Sequence, residues 1–222
     1  MKNIFAVYKP KGPTSHDIID EIRKITGVRK VGHAGTLDPL ARGVLVVGVG
    51  REATKKLNEI VAKEKEYIAV IKLGEESTTD DEEGGKSVRS VGIVEDVKIV
   101  KDVVESFVGV IEQTPPVYSA VKVGGRPAHR RARRGEKVEL KAREVEIKEI
   151  EILDYEWPFL KMRVVTGPGV YIRALARDIG RKLGNGGYLY DLERIRVGEF
   201  VKEDAVESSK LGLRWNLRHS GI

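Results

Sequence analysis

The order in which strand-like and helix-like patterns follow one another is the feature that most constrains the fold. Short apolar runs are interleaved with amphipathic segments of helical period, but without the regular succession that a doubly wound parallel sheet requires. The sequence therefore predicts an α+β fold, with a mixed, largely antiparallel sheet flanked by helices. The predicted strands occupy residues 4–8, 44–49, 67–73, 138–153, 160–166 and 194–201. The predicted helices occupy residues 15–27, 52–62, 98–108 and 170–183.

Two details of this pattern are specific. Ser15 is expected to cap the first helix and Gly27 to end it, because serine accepts the free amides of a first turn and glycine adopts the left-handed conformation after a last turn. Between Ile147 and Ile150 the alternation of apolar residues changes phase. That slip predicts one strand with a bulge near residues 148 and 149, or two strands around a bend.

Composition excludes several kinds of chemistry. The chain has no cysteine, which excludes disulfides, cysteine-ligated metals and thiol nucleophiles. Its histidines form no i, i+4 pair, so no histidine metal site is expected. We expect a cytoplasmic protein without membrane contact, because no apolar stretch is long enough for a signal peptide or a membrane span. Charged residues make up 33% of the chain and amides are few, a bias typical of a thermophile.

Basic residues are concentrated in one segment, residues 126–143. It holds eight Lys and Arg against Glu136 and Glu139, a net charge of +6 that equals that of the whole chain. Five of the arginines fall between residues 126 and 134, where like charges repel one another. A solvated helix face is the plain alternative, but this density favours contact with a phosphate backbone.

The segment Gly48–Ala53 offers a competing function. It matches the glycine-rich turn of dinucleotide-binding folds, follows an apolar run and precedes a predicted helix, and Glu75 lies where a ribose-binding acid would be expected. No regular series of parallel strand–helix units follows, however, and Arg51 and Glu52 crowd the turn. A dinucleotide enzyme is therefore the weaker hypothesis.

A single carboxylate lies in an unusual loop, residues 30–43, which places Asp38 among three glycines, a histidine and a proline. Asp38 precedes Pro39 and is therefore held in extended geometry, whereas the glycines allow another backbone to approach closely. A turn aspartate that caps nearby amides is the plain alternative. As a nucleophile, Asp38 would need a cation to orient it. Arg173, early on the predicted helix after residues 167–169, is one candidate.

Four blocks of the sequence combine into a larger pattern. In chain order they are Lys9–Ser15 (KPKGPTS), Gly32–Leu45 (GHAGTLDPLARGVL), Lys65–Tyr67 (KEY) and Gly169–Leu175 (GVYIRAL). This arrangement resembles the signature of the TruB-type tRNA pseudouridine synthases, and the similarity runs from about residue 4 to residue 200. The resemblance implies the pseudouridine synthase fold. It also implies an enzyme without cofactor or metal that isomerises uridine 55 in the T-loop of tRNA to pseudouridine.

The resemblance assigns roles to individual residues. Asp38 matches the nucleophilic aspartate, which attacks either C1′ of the ribose or C6 of the uracil, and Arg173 matches the arginine paired with it. Lys9 and Pro10 are expected to support the loop around Asp38 from behind. The other residues expected at the target nucleotide are His33, Tyr67, Asp81, Tyr171 and Leu192.

These further residues have specific expected contacts. Tyr67 is expected to stack on the target base and assist proton removal, and His33 to contact the region that the flipped base leaves. Tyr171 and Leu192 are expected to line the uracil pocket. Without the resemblance, Tyr67 is an ordinary strand tyrosine and Leu192 a core residue. Asp81 belongs to an acidic stretch whose other members we interpret as a solvated loop.

The resemblance also gives the basic segment a role. Residues of about 115–143 are similar to the insertion with which stand-alone members grip the T-stem and loop of tRNA, and which the guide-RNA-dependent branch lacks. The residues expected to bind RNA are Arg126, Arg130, Arg131, Arg133, Arg134 and Lys137.

Residues 1–203 are expected to form the catalytic domain of a monomer. Residues 204–222 are expected to form a short tail, with Arg214, Trp215 and Arg218, in place of the full C-terminal RNA-binding domain of many members. Affinity for tRNA would then depend on the insertion or on a partner.

Three residues, Arg42, His129 and Glu193, depart from the family pattern, and we expect them to adjust the grip on RNA more than the chemistry. Besides the tRNA isomerase, two related functions stay open. One is an RNA-binding or tRNA-folding module of the same fold, and the other is a guide-RNA-dependent pseudouridine synthase.

Overall fold

A computed structural model describes residues 3–89 and 92–212, apart from the side chain of His129. Among these residues the strands are β1 (Ile4–Lys9), β2 (Val31–His33), β3 (Arg42–Val49), β4 (Lys65–Leu73), β5 (Glu75–Ser77), β6 (Lys86–Val88), β7 (Gly109–Gln113), β8 (Lys122–Val123), β9 (Arg126–Pro127), β10 (Arg143–Glu156), β11 (Phe159–Thr166), β12 (Gly187–Val197), β13 (Phe200–Val201) and β14 (Val206–Glu207). The helices are α1 (Ser15–Thr26), α2 (Arg51–Val61), α3 (Val97–Glu105), α4 (Ala128–Ala132) and α5 (Ile172–Lys182). None of the helices in this described part is long and apolar enough to cross a membrane.

The chain forms two compact units. The first unit comprises the described residues up to Ile68 and from Leu192 onwards, and the second unit is Ala69–Asp191, so β4 and β12 contribute residues to both. In the first unit the strand order is β14-β1-β3-β12, with β2 also beside β3 and β13 beside β12. Strand β3 is antiparallel to β1 and β2 but parallel to β12, and β14 is parallel to β1. The mixed sheet of the predicted α+β class is therefore confirmed.

Helix α1 packs its isoleucines against the valines of β3 in one buried cluster. Its N-cap is Thr14, whose hydroxyl accepts from the Asp17 amide while the Asp17 carboxylate accepts from the Thr14 amide. This reciprocal pair satisfies two free amides of the first turn, so the expectation of Ser15 as the cap was wrong by one residue. Gly27 ends the helix with a φ of 67°, as predicted.

The segment Gly48–Ala53, which matches a dinucleotide-binding turn in sequence, connects β3 to α2. A Cβ at Gly48 would lie 3.1 Å from the backbone of Ala53, so glycine allows the helix to pack this closely on the strand. The neighbours β1 and β2 are antiparallel to β3, whereas the first strand of a dinucleotide-binding fold has parallel neighbours. The pattern therefore serves packing, and the dinucleotide hypothesis loses its topological support.

The second unit is built around the antiparallel strands β11, β10 and β7, in that order. The register between β10 and β11 shifts between Ile147 and Glu149, which confirms the bulge predicted near residues 148 and 149. Strand β10 continues as one element of 14 residues rather than dividing at a bend. Helices α3 and α5 contact each other; α3 buries Val100 and Val104, and α5 buries eight of its eleven residues.

Two small hairpins of the second unit were not predicted. Strand β5 pairs with β6, and β8 pairs with β9, each in a two-stranded antiparallel sheet. Their residues are exposed or half-buried and mostly polar, so neither hairpin has the apolar alternation by which a strand is recognised in sequence.

Candidate active site

The loop around Asp38 is held by hydrogen bonds on both sides of the carboxylate. Ser15 Oγ donates to the carbonyl of Leu37 at 2.9 Å and accepts from the amide of Leu37 at 2.8 Å. On the other side, the amide of Gly12 donates to the carbonyl of Pro39 at 2.8 Å. Because Leu37 and Pro39 flank Asp38, the backbone that carries the carboxylate is fixed through its neighbours.

Lys9 supports the turn that holds Pro39. The Lys9 residue is 0% exposed, and its ammonium donates to the carbonyls of Pro10 at 2.9 Å and Pro13 at 2.8 Å. A buried ammonium needs such partners, so these bonds shape the turn in which Gly12 binds Pro39. This contact agrees with the supporting role expected of Lys9 and Pro10.

Arg194 brings a positive charge to the same loop, and the sequence did not predict it. The residue is 2% exposed, its Nε donates to the carbonyl of Val44 at 2.8 Å, and its Nη2 donates to that of Gly35 at 3.1 Å. Burial lowers the pKa of the Arg194 guanidinium, while a hydrogen bond with Tyr67 and the charge of Asp38 act in the opposite direction. Asp38 and Tyr67, from separate sequence blocks, thus meet one buried cation.

Gly43 allows β12 to bring Arg194 this close. Its φ is 113°, and a Cβ there would lie 2.2 Å from the carbonyl oxygen of Arg194 in the parallel pair of β3 and β12. Any other residue would push the strands apart. Leu192, two residues before Arg194, is 7% exposed, which fits a core residue and a pocket wall equally.

His33 carries a buried ring nitrogen. Its Nδ1 is buried and has no hydrogen-bond partner in the described part of the chain. Burial lowers the pKa of the imidazole, and the charges of Arg194 and His16 lower it further. The lowered pKa favours the neutral form of the His33 ring at neutral pH.

Two residues that depart from the family pattern face each other. Arg42 and Glu193 are register partners of β3 and β12, and their side chains lie 3.8 Å apart. Glu193 also accepts from the Tyr8 hydroxyl at 2.9 Å and pairs with Lys202 at 2.6 Å. Burial, together with Glu193, raises the pKa of Tyr8 to about 12. Both departing residues thus make contacts within the protein, and their effect on RNA binding stays a prediction.

Asp81 and Arg173 form a buried ion pair in the second unit. The residues are 3% and 5% exposed, and Arg173 Nη1 lies 3.4 Å from Asp81 Oδ2. Asp81 also accepts from the Thr79 hydroxyl and from the amide of Glu83 at 3.1 Å. Arg173 also donates to the carbonyls of Thr79 at 3.1 Å and Tyr118 at 2.9 Å. Two predicted site residues, distant in sequence, are therefore brought together.

A second arginine–aspartate pair lies beside the first. Arg177 donates from Nη1 to Asp80 Oδ2 at 2.9 Å, from Nη2 to the carbonyl of Thr114 at 2.9 Å, and from Nε to Asp178 Oδ1 at 2.9 Å. Arg177 is 8% exposed. The interpretation of Asp80 as part of a solvated loop was therefore wrong, because its carboxylate binds a buried guanidinium.

Tyr171 is oriented by two residues that were not predicted. The buried Gln113 accepts from the Tyr171 amide at 2.8 Å and donates to the Tyr171 carbonyl at 3.1 Å. The Arg143 guanidinium lies 5.3 Å from the centre of the Tyr171 ring and donates to the carbonyl of Gly169 at 2.6 Å. The half-exposed ring is thus held at its backbone and at its face.

The basic segment presents most of its charges to solvent. Hairpin β8–β9 leads into α4, where the amide of the buried Ala128 donates to the carbonyl of Val121 at 2.7 Å. Arg131 is half-buried and donates to Glu136 at 2.6 Å, which lowers the pKa of that carboxyl. The expected RNA-binding residues that are exposed are Arg126, Arg130, Arg133, Arg134 and Lys137.

One sequence signal could have found the arginines that were missed. Arg194 precedes the apolar Ile195, and Arg177 follows the apolar pair Leu175 and Ala176, so each arginine has apolar neighbours in the sequence. A charged residue at such a position needs a buried partner.

Among the described residues, no group of three or more His, Asp or Glu is placed to hold a metal ion.

Known structures and sequences define the class. The chain is similar in fold to a chain of the crystal structure of a Cbf5-Nop10-Gar1 complex, with a TM-score of 0.76 and 31% identity over 99% of this chain and 56% of that one. It is 46% identical over 222 residues to the tRNA pseudouridine synthase B of Thermobifida fusca (strain YX), covering 96% of this chain and 75% of the relative. The counterpart in Parabacteroides distasonis is 48% identical over 200 residues, covering 86% of this chain and 83% of the relative. The fold and these relatives together define a pseudouridine synthase.

Within that class, one family model covers most of the chain. It is described as TruB family pseudouridylate synthase (N terminal domain) and matches residues 23–172. The chain therefore belongs to the TruB family of pseudouridylate synthases. Compared with the chain of the Cbf5-Nop10-Gar1 complex, it spans little more than half the length, 56%.

Proposed function

We propose that this chain is an isomerase that converts uridine 55 in the T-loop of tRNA to pseudouridine. The observation that carries the proposal is the loop at Asp38, in which one carboxylate is held through its neighbours beside the buried cation Arg194. The relatives named tRNA pseudouridine synthase B, at 46% and 48% identity, support the substrate. A guide-RNA-dependent reaction is not favoured, because the relatives at 46% and 48% identity are named for tRNA.

The reaction exchanges one bond of the nucleoside for another. The N1–C1′ bond breaks, the base turns, and a C5–C1′ bond forms, while C5 loses a proton and N1 ends with one. Substrate and product contain the same atoms and electrons. The protein therefore has to supply a nucleophile, a surface on which the base turns, and a group that moves a proton.

Asp38 supplies the nucleophile in this proposal. Its carboxylate attacks C1′ of the ribose or C6 of the uracil, so that the base can detach and turn while an intermediate stays bound to the protein. The charge of Arg194 favours the ionised carboxylate, and Arg173 is the cation that we assign to orient it. Since Leu37 and Pro39 hold the backbone, no loop has to be ordered before the attack.

The remaining site residues bind the base that turns. Tyr67 stacks on it, and its hydroxyl, hydrogen-bonded to Arg194, is placed to take part in removing the C5 proton. Tyr171 and Leu192 line the pocket for the uracil. The neutral ring of His33 offers a hydrogen bond to the nucleotide that has left its stack. Asp81 holds Arg173 through their buried ion pair.

The decisive experiment is incubation of the purified protein with an unmodified tRNA transcript, without added metal or cofactor, followed by site-resolved detection of pseudouridine. Product at position 55 is the expected result. A transcript in which that uridine is replaced by cytidine provides the matched control. Binding of tRNA without product would contradict the proposal and favour the RNA-binding or tRNA-folding module.

The basic segment is proposed to grip the T-stem and loop. Replacing four of its arginines with alanine should weaken tRNA binding and flatten its dependence on salt, by up to about one slope unit for each phosphate that an arginine no longer neutralises. Arg131 should contribute least, because it already binds Glu136. The substituted positions are Arg130, Arg131, Arg133 and Arg134.

The measurement is the tRNA dissociation constant at several salt concentrations. The matched control is a quadruple alanine variant of exposed lysines outside the segment. Its dependence of tRNA binding on salt should stay closer to that of the unchanged protein. The substituted positions are Lys24, Lys55, Lys56 and Lys101. An unchanged slope in the arginine variant would favour the alternative that the segment is a solvated surface without contact to phosphates.

The proposal includes the setting of the reaction. The enzyme acts as a monomer in the cytoplasm of a heat-adapted cell, without metal or cofactor, and residues 1–203 form its catalytic domain. The charged fraction of 33% supports the heat adaptation. Residues 204–222 follow it: β14 of this segment pairs with β1, whereas Arg214, Trp215 and Arg218 lie outside the described residues.

A further inference from the structure

Two arginines on one face of α5 bind two consecutive aspartates. Arg173 Nη1 lies 3.4 Å from Asp81 Oδ2, and Arg177 Nη1 lies 2.9 Å from Asp80 Oδ2. The arginines are four residues apart, so they project from successive turns toward the same side. Two like charges on one helix face repel each other, and the two carboxylates offset that repulsion only if each arginine keeps its own partner.

The backbone at Asp80 is held in an unusual conformation. Its φ is 60°, in the left-handed region, and no other non-glycine residue of the described chain has a positive φ. Surrounding contacts keep it there: the Asp80 carbonyl accepts from the amide of Leu189 at 3.1 Å, and its amide donates to the carbonyl of Ser77 at 3.1 Å. The backbone of Asp80 is therefore fixed, and its side chain, 16% exposed, lies in a mostly buried position beside Arg177.

The carboxylate of Asp80 acts on more than one arginine. Burial raises its pKa, and the charges of Arg177, Arg173 and the exposed Arg181 lower it. Arg173 is therefore already within the electrostatic reach of Asp80. Without Arg177, the half-buried Asp80 would lose its direct partner. Arg173 would then be the buried arginine of this helix face that remains close to Asp80. A shift of Arg173 toward Asp80 would weaken its hold on Asp81.

We infer that Arg177 is a positioning residue, which occupies Asp80 and thereby leaves Arg173 to Asp81 and to the reaction. The inference rests on the proposed function, in which Arg173 orients the nucleophile. It assigns Arg177 no contact with RNA. Its effect should therefore fall on kcat, while KM for tRNA stays nearly unchanged.

A different role for Arg177 makes a different prediction. Arg177 Nη2 donates to the carbonyl of Thr114, just before the insertion that grips RNA. If that bond were its main contribution, removal of Arg177 would displace the root of the insertion, and a change at Asp80 would not repair the damage. Second-site rescue by Asp80 therefore separates the two roles.

The experiment compares turnover of the unchanged protein and three variants on a tRNA transcript, under saturating and limiting substrate. Arg177→Met should lower kcat by about tenfold or more, with KM within about twofold of the unchanged protein. The double variant Arg177→Met/Asp80→Asn should recover kcat to within about threefold, because no uncompensated carboxylate competes for Arg173. Arg51→Met, at an exposed arginine of α2, is the control, because the charge of Arg181, one turn further along α5, also acts on Asp80.

Two outcomes would overturn the inference: full activity in Arg177→Met, or a double variant as slow as the single one. Arg177→Lys keeps the positive charge, so its kcat should lie between those of the unchanged protein and Arg177→Met. If Arg177→Met does not fold, the comparison of Arg177→Lys with Arg177→Lys/Asp80→Asn tests the same rescue.

A second readout does not depend on turnover. The Nε–Hε resonance of Arg173 in a ¹⁵N spectrum should move in Arg177→Met and return toward its original position in the double variant. If the unchanged protein forms no pseudouridine, the proposed function fails, yet this resonance still decides whether Arg177 holds Arg173 in place. A resonance that stays unmoved in Arg177→Met contradicts the inference.

Discussion

Asp38→Asn should lower the rate of pseudouridine formation by at least about 10³-fold while leaving tRNA affinity within about threefold. Asparagine has the size of aspartate and fits before Pro39, but its amide lacks the negative charge and the nucleophilic oxygen that the reaction needs. The bonds at Leu37 and Pro39 involve neighbouring residues, so the loop should keep its position. Turnover at saturating tRNA and a separate binding measurement check the two halves of this expectation.

Asp20→Asn is the matched control for Asp38→Asn. Asp20 is an exposed residue of the same unit, where its carboxylate pairs with Arg23 at 2.7 Å, so its loss should not change turnover. If Asp38→Asn turned over as fast as the control, Asp38 would not be the nucleophile. Loss of tRNA binding together with turnover would instead indicate that the substitution disturbs the loop.

Arg173→Met should lower the free energy of unfolding by about 3–5 kcal/mol, because it leaves the Asp81 carboxylate as an uncompensated charge in a buried site. Asp81 is only 3% exposed, so water cannot replace the missing partner without local opening. For a chain of this size the same change lowers the melting temperature by roughly 6–20 °C. Denaturant unfolding and thermal melting both measure it.

A double variant and a surface control make this second prediction specific. Adding Asp81→Asn to Arg173→Met removes the uncompensated charge and should restore part of the missing stability. Arg163→Met breaks an exposed pair with Glu149, 2.7 Å apart, and should change stability by less than about 1 kcal/mol. Equal melting temperatures for Arg173→Met and Arg163→Met would show that the buried pair adds nothing to stability.

Local patterns in the sequence predicted much of the fold. The apolar periods located β1, β3, β4, β11 and four of the helices, and the phase slip located the bulge at Glu149. The cap of α1 was misplaced because Thr14 and Ser15 are chemically alike. Only the geometry gives the cap to Thr14, through Asp17, and leaves Ser15 to bind Leu37.

The candidate site was predictable to a smaller extent. Asp38 and Tyr67 belong to recognisable sequence blocks, and the structure adds the cation between them. Sequence could at most mark Arg194 as a charge among apolar neighbours. Its partners could not be assigned, because they are supplied by the parallel pairing of β3 and β12 and by the space left at Gly43. The pairing of Arg177 with Asp80 likewise joins residues distant in sequence.

The fixed loop at Asp38 decides which molecule has to move. Ser15 and Gly12 tie its two sides to the N-terminal segment, so the carboxylate is already in place before any RNA arrives. The conformational change then has to occur in the nucleic acid. The RNA must unstack a base, at a cost of a few kcal/mol, and that base must reach the fixed carboxylate. Uridines in a distorted or weakly stacked loop begin nearer to that state. A rigid nucleophile is thus in itself a filter for RNA shape.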